Sequence, residues 1–214
     1  MLFTNRQEAG QKLAAALLKY KTDNPIILAL PRGGVPVAYE VARKLKAPLD
    51  VLTVRKLGAP GHAEFGIGAI APDKIRILDE TLIKNLEITP QEINYITEME
   101  EQELIRRQKL YRENKPKPNY FGKNVIIVDD GLATGITLKA AVKAVVRDDP
   151  KKIIAAVPVC DQKSFQDLRK FVRPRVDEVI CLTSLLNIQS VGLWYHDFHE
   201  VSDTEVKHYL DINH

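Results

Sequence analysis

Residues 124–137 read Asn-Val-Ile-Ile-Val-Asp-Asp-Gly-Leu-Ala-Thr-Gly-Ile-Thr. An apolar run enters two adjacent acids, Asp129 and Asp130, and a short loop then opens a helical pattern. In a parallel sheet this order puts acids and loop at the carboxyl edge, where ligands bind. The N-terminus of a helix presents free N–H groups and a partial positive charge, which together favour a phosphate. Gly135 permits close backbone approach, and the hydroxyls of Thr134 and Thr137 can donate to phosphate oxygens. The carboxylates would repel a phosphate placed directly on them. They suit acceptance from sugar hydroxyls, or help in holding a hydrated Mg2+. Turn and capping chemistry alone would use the same residue types, but the ordered combination favours a ligand site.

Two further segments carry charge next to glycine. Leu30-Pro31-Arg32-Gly33-Gly34 follows an apolar run, and consecutive glycine N–H groups beside Arg32 can form an anion nest. Residues 54–68 contain Arg55 and Lys56, then Gly58, Pro60, Gly61, His62, Gly66 and Gly68. Within it, residues 56–68 read as a loop able to close over a reacting group, with Arg55 and Lys56 neutralising charge that builds as an anion departs. His62 reads as an exposed loop histidine. Near the other end, Val191-Gly192-Leu193-Trp194-Tyr195-His196-Asp197-Phe198 clusters aromatics, with two readings: Trp194 and Tyr195 stack on a planar ligand, or they anchor the tail to the sheet. No G-x-x-x-x-G-K-[ST] loop and no G-x-G-x-x-G occurs, which argues against nucleotide-triphosphate and dinucleotide folds.

The elements that must hold these residues follow from periodicity. Thr4 with Gln7 reads as a capping box for a helix to about Tyr20. Residues 25–30, 49–54, 75–78, 124–128, 152–159 and 178–182 read as strands, with helices at 35–45 and from about 137. Thr89-Pro90-Gln91-Glu92 starts a charged helix running to about Arg112, and Ser202-Asp203-Thr204-Glu205 caps a terminal helix. Strands alternating with helices predict an α/β fold, a parallel sheet flanked by helices. The 214 residues are expected to form a single domain (1–214) with a small C-terminal appendage from about 183 to 214.

The segment from Val125 to Thr137 resembles the 5-phosphoribosyl-1-diphosphate (PRPP) binding signature of type I phosphoribosyltransferases. Nearly the whole chain, including residues 30–38 and 191–198, is similar to a bacterial subgroup of that family. The resemblance implies that Asp129 and Asp130 contact the ribose 2′- and 3′-hydroxyls, and that Gly131, Ala133, Thr134, Gly135, Ile136 and Thr137 surround the 5′-phosphate. It implies that Arg32, Gly33 and Gly34 take the diphosphate, and that Lys56, Arg55 and Asp130 serve catalysis under a flexible loop. It further implies Mg2+ as cofactor, with Asp129 and Asp130 helping indirectly, and a small hood built from both terminal segments for a nitrogenous acceptor. The activity implied is transfer of the phosphoribosyl group from PRPP to a base or amine with release of diphosphate. A PRPP-sensing regulator of the same fold is the alternative, and a homodimer is compatible with either.

Composition narrows the field. The formal charge is +3 with no concentrated basic block, which argues against a nucleic-acid partner. No apolar run reaches membrane-spanning length and no signal-peptide core follows Met1, so a soluble cytoplasmic protein is expected. Cys160 and Cys181 are expected to be separate buried thiols, since two cysteines make neither a metal pattern nor a disulfide framework.

Overall fold

The computed structural model describes residues 2–113, 116–171 and 177–213. In chain order the elements are α1 (Arg6–Ala16), β1 (Ile26–Ala29), α2 (Gly34–Leu45), β2 (Leu49–Val51), β3 (Arg55–Ala59), β4 (His62–Ala71), β5 (Ile75–Leu78), α3 (Glu80–Asn85), α4 (Pro90–Arg112), β6 (Asn124–Val128), α5 (Ile136–Val146), β7 (Lys152–Asp161), α6 (Gln162–Phe171), β8 (Glu178–Leu185) and α7 (Asp203–Asp211). Five strands form one parallel sheet in the order β2-β1-β6-β7-β8. Its central strands are buried on both faces, which is why they read as unbroken apolar runs. Alternate residues face opposite cores. Ile27, Ala29, Ile126, Val128, Ile154 and Ala156 pack against α1, α2 and α7. Leu28, Val125, Ile127, Ile153, Ala155 and Val157 pack against α5. Among the described residues no helix is long and apolar enough to cross a membrane.

From β1 the chain winds outward to β2, and from β6 it winds the other way to β7 and β8. The direction reverses between β1 and β6. Such a reversal leaves a crevice beyond the carboxyl ends of the two strands. The loops that leave these ends are residues 30–33 and 129–135, the two segments singled out above for anion and sugar binding.

Several expectations need correction. The stretch 56–68 is not a loop. It forms β3 and β4, which with β5 make a second, antiparallel sheet. Ala59 pairs with His62, so Pro60-Gly61 is a two-residue turn, with Gly61 at φ +71°. Proline followed by a positive-φ glycine is the signature of a type II turn, and the remaining glycines sit within strands. The first helix is capped by Asn5, whose side chain accepts from the Glu8 N–H, and it ends at Ala16 instead of Tyr20. Thr4 is one residue too early, and its own N–H is taken by Glu8. Cys160 and Cys181 are not separate thiols. They are joined as a disulfide between β7 and β8, with Cα atoms 6.2 Å apart. Neither cysteine is the register partner of the other, since Cys181 pairs with Val157 and Cys160 with Ser184. The capping boxes at Thr89 and Ser202 form as expected.

The terminal segments meet. The N–H groups of Leu2 and Phe3 donate to the Trp194 carbonyl, and the N–H groups of His196 and Asp197 donate to the carbonyls of Phe3 and Thr4. Phe3, Ala9, Val159 and Tyr195 form a small core of their own, flanked by Trp194 and Phe198. A Cβ on Gly131 would overlap Val191, so this cap lies directly against the loop that follows β6.

Candidate functional site

Asp129 and Asp130 stand at the end of β6 and are largely shielded from solvent. The Asp129 Oδ1 accepts the Asp130 N–H at 2.9 Å, which orders the pair internally. The loop after β1 presses on them. A Cβ on Gly33 would overlap Asp130 Oδ2 and come within 2.8 Å of its Cγ. A Cβ on Gly34 would lie 2.8 Å from the Val128 carbonyl and 3.1 Å from Asp129 Oδ1. Two glycines therefore stand where any side chain would push the loop off the acids. The Pro31-Arg32 peptide bond is cis.

The loop beyond the acids is pinned at Leu132. Its N–H donates to the Val159 carbonyl at 2.9 Å, and its carbonyl accepts from the Asp161 N–H at 2.8 Å. Ala133 and Thr134 then lead to Gly135, the N-cap of α5 at φ +74°. A side chain there would be strained, whereas glycine adopts this region freely. The first N–H groups of α5, from Ile136 onward, have no acceptor within the helix and point out of its start. Gly131, Ala133, Thr134, Gly135, Ile136 and Thr137 thus span the loop and the first residues of α5. Thr134 is exposed and Thr137 half-buried.

Burial, and then the neighbouring Asp130 charge, push the Asp129 carboxyl well above the ordinary carboxylate range. Burial also raises Asp130, and the Arg6 guanidinium opposes that rise. Lys56 is exposed, yet its charge counters that of both acids. It lies on the face of β3 away from α4. Arg55, one residue earlier, is turned to the other side by strand alternation. Its Nε donates to Glu100 of α4 at 2.7 Å. The expected pairing of Arg55 with Lys56 over one anion therefore gives way to a single cation, Lys56.

Other expected residues have partners of their own. Arg32 is ion-paired with Glu200 and stands 4.0 Å from Asp203 at the start of α7. Tyr195 is buried between Phe3 and Phe198, with ring centroids 5.4 and 5.0 Å away. Its hydroxyl donates to the Asp130 carbonyl at 2.6 Å. Burial, and next the Asp130 charge, push that hydroxyl's pKa up, so it stays a donor. This arrangement suits the anchoring reading of Tyr195 and not a free stacking face. The Trp194 indole N–H is buried and has no partner among the described residues. His62 is exposed at the tip of the hairpin. Arg6, which sequence reasoning missed, donates through Nε to Asp130 Oδ2 at 2.9 Å. The only signal for it was the closeness of both termini in the expected hood.

A family model described as a phosphoribosyl transferase domain matches residues 3–196. A Mycobacterium tuberculosis protein named for a phosphoribosyl transferase is 38% identical over 213 residues, covering 100% of this chain and 47% of that protein. The chain thus spans about half the length of that relative. The crystal structure of TT1426 from Thermus thermophilus is 37% identical, with a TM-score of 0.78 and 98% of both chains covered. AQ2163 from Aquifex aeolicus shares the fold, with a TM-score of 0.57 at 12% identity, covering 96% of this chain and 85% of that one.

Proposed function

Because the chain belongs to the phosphoribosyl transferase family, we propose that it binds PRPP with Mg2+ and transfers the phosphoribosyl group to a nitrogenous acceptor, releasing diphosphate. One observation carries the reading. Gly33 and Gly34 stand against Asp129 and Asp130 at the sheet's reversal point, with the α5 N-terminus beside them. This juxtaposition supports reading the glycine loop as the diphosphate site, the acids as sugar-hydroxyl acceptors and the helix start as the phosphate site. The 5′-phosphate takes the free N–H groups of α5, the ribose hydroxyls donate to the carboxylates, and the diphosphate lies along the loop from Arg32 to Gly34.

Among the described residues no three metal-ligating side chains cluster. Two carboxylates alone do not complete an octahedral shell, but they fit a Mg2+ that takes most of its oxygens from the substrate and water. Asp129 and Asp130 would help to hold such an ion, directly or through water, and it would supply positive charge to offset that of the leaving group. The protein's own contribution is placement. The carboxylates orient the ribose, and Lys56 meets charge that grows on the departing oxygen as the C1–O bond breaks. No covalent intermediate on the protein is required. The sensor reading shares every binding contact and lacks only the acceptor step.

Thermal unfolding with and without PRPP and Mg2+ tests the reading. At one hundred times its dissociation constant, a ligand that binds only the folded state adds about 2.7 kcal/mol of stability. The unfolding temperature is expected to rise, and to rise less with PRPP alone. No shift at millimolar PRPP with Mg2+ refutes the proposal.

A further inference from the structure

Asp130 is the more constrained of the two acids, and what constrains it comes from the far ends of the chain. Arg6 is the first residue of α1 and is 7% exposed. Its guanidinium makes three contacts at once. Nε donates to Asp130 Oδ2 at 2.9 Å, Nη1 donates to the His199 carbonyl at 2.8 Å, and the face of the group lies 3.7 Å from the centre of the Phe198 ring. A planar fork stacked on a ring while its edge binds a carboxylate is an arrangement open to arginine and closed to lysine. Phe198 and His199 both lie beyond residue 196, where the family match ends. The clamp therefore joins α1 to a segment near the C-terminal end of the described chain.

Asp130 Oδ2 accepts from Arg6 and sits in the space that a side chain at position 33 would fill. The Tyr195 hydroxyl holds the same residue's carbonyl at 2.6 Å. With Oδ2 engaged by Arg6, Oδ1 is the freer of the two Asp130 oxygens. We propose that Arg6 is a positioning residue for PRPP: stacked on Phe198 and tied to the His199 carbonyl, it holds Asp130 in the one orientation that offers Oδ1 to a ribose hydroxyl. This rests on the PRPP reading of the site. Preorganised acceptors of this kind act by removing the cost of ordering the group when the ligand arrives. Arg6 touches no reacting atom, so its loss weakens ground-state binding and transition-state binding together and leaves the maximal rate nearly unchanged.

The test measures PRPP affinity by calorimetry, with Mg2+ present, for wild type, Arg6→Ala, Arg6→Lys and Phe198→Leu. Both Arg6 variants are expected to bind PRPP roughly tenfold or more weakly, the scale of one charge-assisted hydrogen bond. Lysine does not rescue, because it keeps the charge and loses the fork. Added guanidinium chloride is expected to restore much of the affinity of Arg6→Ala, whereas potassium chloride at equal ionic strength does not. A merely structural arginine would lower the unfolding temperature and leave the affinity of the folded fraction alone, which overturns the proposal. Wild-type affinity in Arg6→Lys overturns it too. If neither Arg6 variant folds, Phe198→Leu decides: it keeps the arginine and removes the ring, and unchanged affinity there is fatal. A wild type that binds no PRPP refutes the reading of the site itself. A wild type that binds and an Arg6→Ala that binds equally refute only the role of Arg6.

Discussion

Replacing Gly33 with alanine is the sharpest probe of the crevice. The added Cβ would overlap Asp130 Oδ2, stand 2.8 Å from Asp130 Cγ and 3.3 Å from Arg6 Nε. The first two separations lie inside normal van der Waals contact, so either the loop lifts or the carboxylate turns. The loop is tied down, because the Leu30 N–H donates to the Val128 carbonyl at 2.9 Å and the Gly34 N–H to the Leu30 carbonyl at 3.0 Å. Asp130 is therefore expected to turn and to lose its bond to Arg6. Overpacking of this kind costs about 1–3 kcal/mol of stability. The displaced carboxylate also forfeits a charge-assisted hydrogen bond to the ligand, about 1.5–3 kcal/mol, which weakens PRPP binding roughly 10- to 150-fold. Gly66 is the stability control, since a Cβ there meets nothing within 4 Å. Its change to alanine is expected to stay within about 0.5 kcal/mol of wild type. Denaturant unfolding gives the first quantity and calorimetry with PRPP and Mg2+ the second. A Gly33→Ala protein that matches wild type in both would show that the loop does not abut Asp130, and the assembled site would fall with it.

Four further outcomes follow from the structure. Asp129→Asn is expected to retain or gain stability, because it removes a desolvated carboxyl, whereas Asp130→Asn leaves buried Arg6 without its anion and loses roughly 3 kcal/mol; denaturant melts of both separate the two roles. The folded Asp129 holds its proton to higher pH than the unfolded chain does, so wild-type stability declines as pH rises from the ordinary carboxylate range through the raised value. Asp129→Asn is expected to flatten that decline, and an unchanged slope would count against the buried carboxyl as its source. Lys56→Ala is expected to slow turnover, or slow PRPP hydrolysis where no acceptor is known, by about 2–4 kcal/mol in the barrier, with PRPP affinity nearly kept; equal rates would remove Lys56 from the mechanism. Glu200→Gln is expected to tighten PRPP binding by releasing Arg32, which Glu200 otherwise neutralises; weaker binding in a titration would show that Glu200 supports the loop instead of competing with the diphosphate.

Local chemistry made much of this protein legible. The buried strands at 124–128 and 152–159 are recognisable because a strand covered on both faces needs apolar residues at every position. The capping boxes at Thr89 and Ser202 are recognisable because their four-residue pattern closes on itself. The anion and sugar loops are recognisable because glycine, acid and threonine in that order serve a need within one short segment. The hairpin at 55–71 was obscured by the same logic: its glycines signal turns by type, yet most of them lie in strands, and only Pro60-Gly61 turns the chain. What the sequence alone could not decide are the relations between segments far apart in the chain. Arg6 and Asp130 are 124 residues apart, Arg32 and Glu200 are 168 apart, and no periodicity links them. The side of β3 that faces the acids, and with it the choice of Lys56 over Arg55, depends on how the second sheet docks, because a one-residue shift exchanges the two faces. The Cys160–Cys181 disulfide depends likewise on β7 and β8 lying side by side in the sheet. Backbone needs that a few neighbouring residues satisfy are written locally, whereas the partners of a buried charge are settled only when the sheet is ordered and both ends of the chain close over it.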